Sequence, residues 1–131
     1  MACRWTELVI DANDPVRLAR FWSQVLDYPI VDQGEHYAAI EGPSGPSIVF
    51  VRVPEPKTVK DRIHIDVNAT DRDQMEEVAR IKELGATDAD VGQHNAEPDP
   101  VTGKDEVTWV VLADPEGNEF CVLRSRVEAH S

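Results

Sequence analysis

The chain has 131 residues, 41% of them hydrophobic, and 25 acidic against 13 basic residues leave a formal net charge of -12. That length gives one compact core and no second ordinary domain, so a single domain over residues 1–131 is expected. The charge repels nucleic-acid phosphates and anionic membrane surfaces, and no apolar run approaches spanning length, which excludes both as partners and predicts a cytoplasmic protein.

Glu7-Leu8-Val9-Ile10 reads as a short strand, and Asp14-Pro15 as a helix start, with Asp accepting from free N–H groups and Pro suited to the first helical position. Leu18, Phe21, Trp22, Val25 and Leu26 recur at helical spacing and give one wide apolar stripe. Strands follow at 28–31, 36–40 and 48–53. Residues 54–61 carry two prolines and alternating charge, which suits a connector.

Ile63-His64-Ile65-Asp66-Val67-Asn68 alternates apolar and polar, predicting a strand. Asp71 then opens a second helix, with Gln74 at the capping-box position, a stripe of Met75, Val78, Ile81 and Leu84, and Gly85 as the stop. Strands at 87–91, 106–112 and 119–124 complete the chain. The polar segment 92–106 is long for a loop in a compact domain and suggests a mobile loop or lid, in which His94 reads as solvent-exposed. Cys3 and Cys121 form no metal-type or disulfide pattern and read as two reduced thiols.

The two halves therefore repeat one element order, β-α-β-β-β. Residues 7–14 lie over 64–71 without a gap, both ending on an aspartate expected to cap a helix. Module one covers about 4–53, the connector 54–61, and module two about 62–126. Near the end, Ala113-Asp114-Pro115-Glu116-Gly117-Asn118-Glu119-Phe120 reads as a hairpin. Pro115 supplies the fixed φ of a turn's second position and Gly117 a positive φ, so Glu119 begins the last strand.

Side chains two apart on a strand share a face, which decides which of them can share a cavity. Ile63, Ile65 and Val67 should pack under the second helix, leaving His64, Asp66 and Asn68 opposite. In the first strand Glu7, Val9 and Asp11 face away from the helix; in the last, Glu119, Cys121 and Leu123 do. Glu7, His64 and Glu119 thus all start strands and point off the helix-covered face. Several carboxylates in a confined site repel unless a cation or proton neutralises them.

The paired modules, the Asp-Pro helix with Phe21-Trp22, the Arg62 to Val67 strand and the Ala113 to Phe120 hairpin resemble the vicinal-oxygen-chelate superfamily of glyoxalases, extradiol dioxygenases and bleomycin-resistance proteins. The resemblance implies an α+β fold in which two tandem βαβββ modules curl into an eight-stranded cup, one helix per module outside, and implies a homodimer. It also implies a metal position: Glu7, His64 and Glu119 would hold a divalent metal (Mn, Fe(II), Ni, Mg or Zn), with no organic cofactor. Glu7 stands where His or Gln is more usual, and Val49 or Val51 falls where glyoxalases place a carboxylate.

Two functions from different classes stay open. In one, a metal-dependent lyase, isomerase or dioxygenase binds a small oxygen-rich substrate, with Glu7 and Glu119 as catalytic carboxylates and one of them, Glu7, the general base. In the other, a metal-free protein sequesters an aromatic or cationic compound against Val49, Val51, Asp66, Trp109, Val111 and Cys121.

Overall fold

A computed structural model describes residues 2–89, 96–98, 105–107 and 109–129. The chain divides into two compact units between Lys57 and Thr58, inside the expected connector. The first contains β1 (Glu7–Ala12), α1 (Pro15–Leu26), β2 (Ile30–Gln33), β3 (Tyr37–Ile40) and β4 (Ser47–Arg52), with sheet order β1-β4-β3-β2. β1 and β4 are parallel, while β3 pairs antiparallel with both β4 and β2. A parallel pair needs a long crossover, and α1 with the β2-β3 hairpin supplies it.

The helix α1 starts where its chemistry predicts, since the Asp14 side chain accepts from the Arg17 backbone N–H at 3.2 Å and Pro15 takes the first turn. It stops at Asp27, whose φ of 56° is left-handed, with the Tyr28 N–H donating to Ser23 O at 3.1 Å. Leu18, Ala19, Phe21 and Trp22 bury the predicted face, and Phe21 meets Trp22 edge-on at 5.3 Å between ring centroids. Ala38, Ile40 and Phe50 are the buried residues of the sheet. Full burial stabilises a side chain the size of Phe50 by about 1.5–3 kcal/mol. Along β1, exposure alternates as expected, with Glu7, Val9 and Asp11 exposed and Leu8, Ile10 and Ala12 turned inward.

The second unit contains β5 (Ile65–Val67), α2 (Gln74–Leu84), β6 (Thr87–Asp88), β7 (Ala96–Pro98), β8 (Asp105–Val107), β9 (Trp109–Ala113) and β10 (Glu119–Leu123). Its four-stranded sheet runs β5-β10-β9-β6, and β7-β8 form a separate antiparallel pair. Again the first strand lies parallel to the last, here β5 to β10. Val78 and Ile81 of α2, with Leu112, Phe120 and Val122 of the sheet, are buried. Two helices and two four-stranded sheets thus realise the expected tandem βαβββ modules, with the β7-β8 pair inserted in the second.

Several boundaries differ from the sequence-based expectation. The strand predicted from Ile63 begins at Ile65, and Ile63 is 77% exposed, because the chain is still turning through residues 61–64. The cap of α2 is Asp73 and not Asp71: the Asp73 side chain accepts from the Glu76 N–H at 2.8 Å, whereas Asp71 pairs with Arg72. Gln74, expected to complete a capping box, donates instead through Nε2 to Val122 O at 3.0 Å, tying the helix to β10. Met75 is 62% exposed and does not join the stripe; Glu77 is buried in the same turn, against Arg80. Part of the loop expected over 92–106 is strand, namely β7 and the start of β8, and His94 lies outside the described residues.

Strand register sharpens the repeat. Leu8 pairs with Ile48 and Ile10 with Phe50, as Ile65 does with Phe120 and Val67 with Val122. The alignment of 7–14 on 64–71 therefore holds through the strands and breaks at the helix caps, two residues later in the second unit. It also makes Ser47, which pairs with Glu7, the counterpart of Glu119, and not Val49 or Val51.

Candidate functional site

The hairpin before β10 is held by one buried carboxylate. Asp114 accepts from the N–H groups of Glu116 at 2.9 Å and Asn118 at 3.0 Å, and from Asn118 Nδ2 at 2.9 Å. Its own carbonyl accepts from Gly117 N–H at 2.9 Å, and Gly117 has the expected positive φ of 87°. The turn therefore delivers Glu119 as the first residue of β10, half-buried.

Glu119 meets the backbone of Asp61. The Asp61 N–H donates to Glu119 Oε2 at 3.0 Å, a bond strengthened by the carboxylate charge. The Asp61 carbonyl oxygen lies 3.0 Å from His64 Nε2. A carbonyl oxygen only accepts, so this hydrogen bond requires the His64 tautomer that carries its proton on Nε2. Two of the predicted ligands, His64 and Glu119, are thus gathered around one residue that the sequence reading did not single out. No side-chain signal could have identified Asp61, because it acts through its main chain.

Glu7 lies in the first unit, exposed, at the start of β1 and paired with Ser47. Among the described residues, no group of three or more His, Cys, Asp and Glu side chains could hold a metal ion.

A second row of side chains crosses the same sheet two residues further along. Asp66 pairs with Cys121, and Cys121 with Val111, so the three lie side by side on β5, β10 and β9. Cys121 and Val111 are buried and Asp66 is exposed. Burial pushes the Cys121 thiol up from its ordinary value of 9.0; the Asp66 charge, and the hydrogen bond the thiol donates to that carboxylate, act in the same direction. The thiol is therefore un-ionised at neutral pH. Trp109 pairs with Leu123 in the next row of this face, both half-buried. In the first unit, Val49 and Val51 are half-buried on the side of β4 opposite Phe50.

The fold and this arrangement define a glyoxalase-type tandem module. The family model of the glyoxalase-like domain matches residues 7–123, and the chain belongs to that family. Among solved structures, a mutant of the fosfomycin resistance protein FosX from Listeria monocytogenes, complexed with Mn(II) and a dihydroxypropylphosphonic acid, is 14% identical. It has a TM-score of 0.66, with 94% of this chain and 90% of that chain covered. A glyoxalase/bleomycin resistance protein/dioxygenase family enzyme from Burkholderia phytofirmans is 17% identical, with a TM-score of 0.58 over 89% of this chain and 94% of that one. The bleomycin resistance determinant encoded on transposon Tn5 is 16% identical, with a TM-score of 0.53 over 95% and 100%. Likeness at that identity shows the vicinal-oxygen-chelate fold alone. No curated protein matches the chain. Among the described residues, no helix is long and apolar enough to cross a membrane.

Proposed function

We propose that the chain binds a small molecule without a metal centre, in the manner suggested by the bleomycin resistance determinant whose fold it shares. The observation that carries this reading is the row Asp66, Cys121 and Val111, with Trp109 and Leu123 beside it on the same face. The row offers an exposed carboxylate next to an uncharged thiol and apolar or aromatic side chains. That chemistry suits a ligand with a flat apolar part and a positive charge, the carboxylate fixing orientation and the apolar groups supplying contact area. A formal charge of -12 favours approach of a cation over long range.

The enzyme reading, with Glu7, His64 and Glu119 around a divalent metal, has less support. His64 and Glu119 are both engaged by the Asp61 backbone. The lyase, isomerase or dioxygenase activities that depend on that centre are not proposed.

Thermal-shift measurements in buffer containing a chelator test the proposal, with a panel of cationic aromatic compounds that includes bleomycin. A ligand present at a hundred times its Kd stabilises by about 2.7 kcal/mol, a shift that such a measurement resolves. We expect stabilisation by at least one cationic aromatic compound, reduced by Asp66→Asn and by Trp109→Ala. No shift from any compound of the panel would overturn it.

A further inference from the structure

We propose that His64 and Glu119, at the positions where the superfamily resemblance leads one to expect metal ligands, act here as a backbone clip that fastens the entry of the second unit to its last strand. The observation is the opposite polarity of their two contacts with one residue. Asp61 gives its N–H to Glu119 Oε2 and offers its carbonyl to His64 Nε2, each at 3.0 Å. A cation between the two side chains would need lone pairs from both. The contact to the carbonyl uses the imidazole Nε2 as a donor instead, and Glu119 Oε2 already accepts from the Asp61 N–H.

The clip has a clear mechanical use. Residues 61–64 lie between a proline-containing connector and β5, and they belong to no strand or helix, so their main-chain polar groups need partners from elsewhere. Asp61, His64 and Glu119 are all half-buried, where an unpaired N–H or carbonyl is costly. Glu119 is held by β10 and by the Asp114 hairpin, so the clip transmits that rigidity to residue 61, 58 positions earlier in the chain. The same bonds hold the chain in a turn through Ile63, which accounts for β5 beginning only at Ile65. His64 Nδ1 is the one ring nitrogen left to coordinate, and among the described residues no three-member group of His, Cys, Asp and Glu forms that could hold a metal there.

The inference rests on the metal-independent reading of the site, but not on which compound binds. Hydrogen exchange at the Asp61 amide of the full chain tests it, in chelator and in Mn(II). We expect this amide to be protected in the parent protein, to exchange about tenfold faster in Glu119→Ala, and to keep most of its protection in Glu119→Gln, whose side-chain oxygen still accepts. Mn(II) should alter none of these rates. Equal exchange in the parent and Glu119→Ala overturns the clip. So does Mn(II)-dependent stabilisation of the parent that His64→Ala abolishes. Should Glu119→Ala fail to fold, the Glu119→Gln rate and the Mn(II) response of the parent decide. Failure of every cationic aromatic compound to bind would defeat the proposed function and leave the clip standing.

Discussion

Asp114 and Asn118 close the last hairpin through both backbone and side chain: the Asp114 carboxylate takes the Asn118 N–H and Nδ2, while Asn118 O receives the Asp114 N–H at 2.9 Å. Asp114 is only 3% exposed, so its bonds are not replaced by water when it is removed. Asp114→Ala should lower unfolding free energy by about 2–3 kcal/mol in urea titrations, the range for charged hydrogen-bond partners left without an acceptor. Asp114→Asn should lose less, about 1 kcal/mol. It keeps an oxygen for the two backbone donors but turns an amide donor toward Asn118 Nδ2.

The cap of α2 gives a pH-dependent prediction. Bonds from the Glu76 backbone hold the Asp73 carboxyl below its ordinary value of 3.8. A lowered folded pKa means the unfolded state binds protons first as pH falls, so the stabilisation is present above 3.8 and fades as pH drops through the lowered value. Asp73→Ala should therefore reduce the thermal midpoint at neutral pH, and the gap to the parent should shrink in acid. Asp71 is also lowered, mainly by its hydrogen bond to Arg72. It caps no helix, however, and Asp71→Ala should shift the neutral midpoint less. Equal losses from the two substitutions would identify the wrong cap.

The two aspartates also show what the sequence could and could not reveal. The helix itself was legible from Val78, Ile81 and Leu84, because burial follows a 3.6-residue period. Choosing between Asp71 and Asp73 was not, since both precede the helix and either can accept from a free N–H. The choice depends on where β5 ends and on Arg72 taking Asp71 as its partner. Likewise, alternation at Ile63 to Asn68 signalled a strand, but the turn at 61–64 is fixed by a contact with Glu119, 58 residues away. Position along the chain was enough to name His64 and Glu119 as notable. Their partner was hidden, because a main-chain N–H and carbonyl carry no residue signature.

Gly42 and Tyr28 offer a packing test. A Cβ on Gly42 would overlap the Tyr28 ring, which lies against the glycine where the chain leaves β3. The Glu41 N–H donates to Pro29 O at 3.1 Å, so the backbone beside the ring is tethered and cannot easily withdraw. Gly42→Ala should cost about 1–3 kcal/mol, the range for overpacking. In a Tyr28→Ala background the same substitution should be nearly neutral. A double-mutant cycle in urea should give a coupling of about 1 kcal/mol or more; additive losses would mean that the ring is not the obstacle.

Cys121 and Cys3 should differ sharply toward a thiol reagent. Both are free, but Cys3 is exposed, whereas Cys121 is buried and donates to Asp66. The thiolate is the reactive form, and burial with a neighbouring carboxylate suppresses it. At neutral pH one thiol per chain should react quickly, and the second only after denaturation. The sign of the linked pH effect follows from the raised folded value: stabilisation by the neutral thiol is complete below 9.0 and is lost as pH climbs through the folded pKa. The urea midpoint of the parent should thus fall relative to Cys121→Ala as pH rises past that value. Rapid modification of both thiols in the native protein at neutral pH would show that the Cys121 thiol ionises there, and would remove the uncharged thiol that the proposed ligand surface includes.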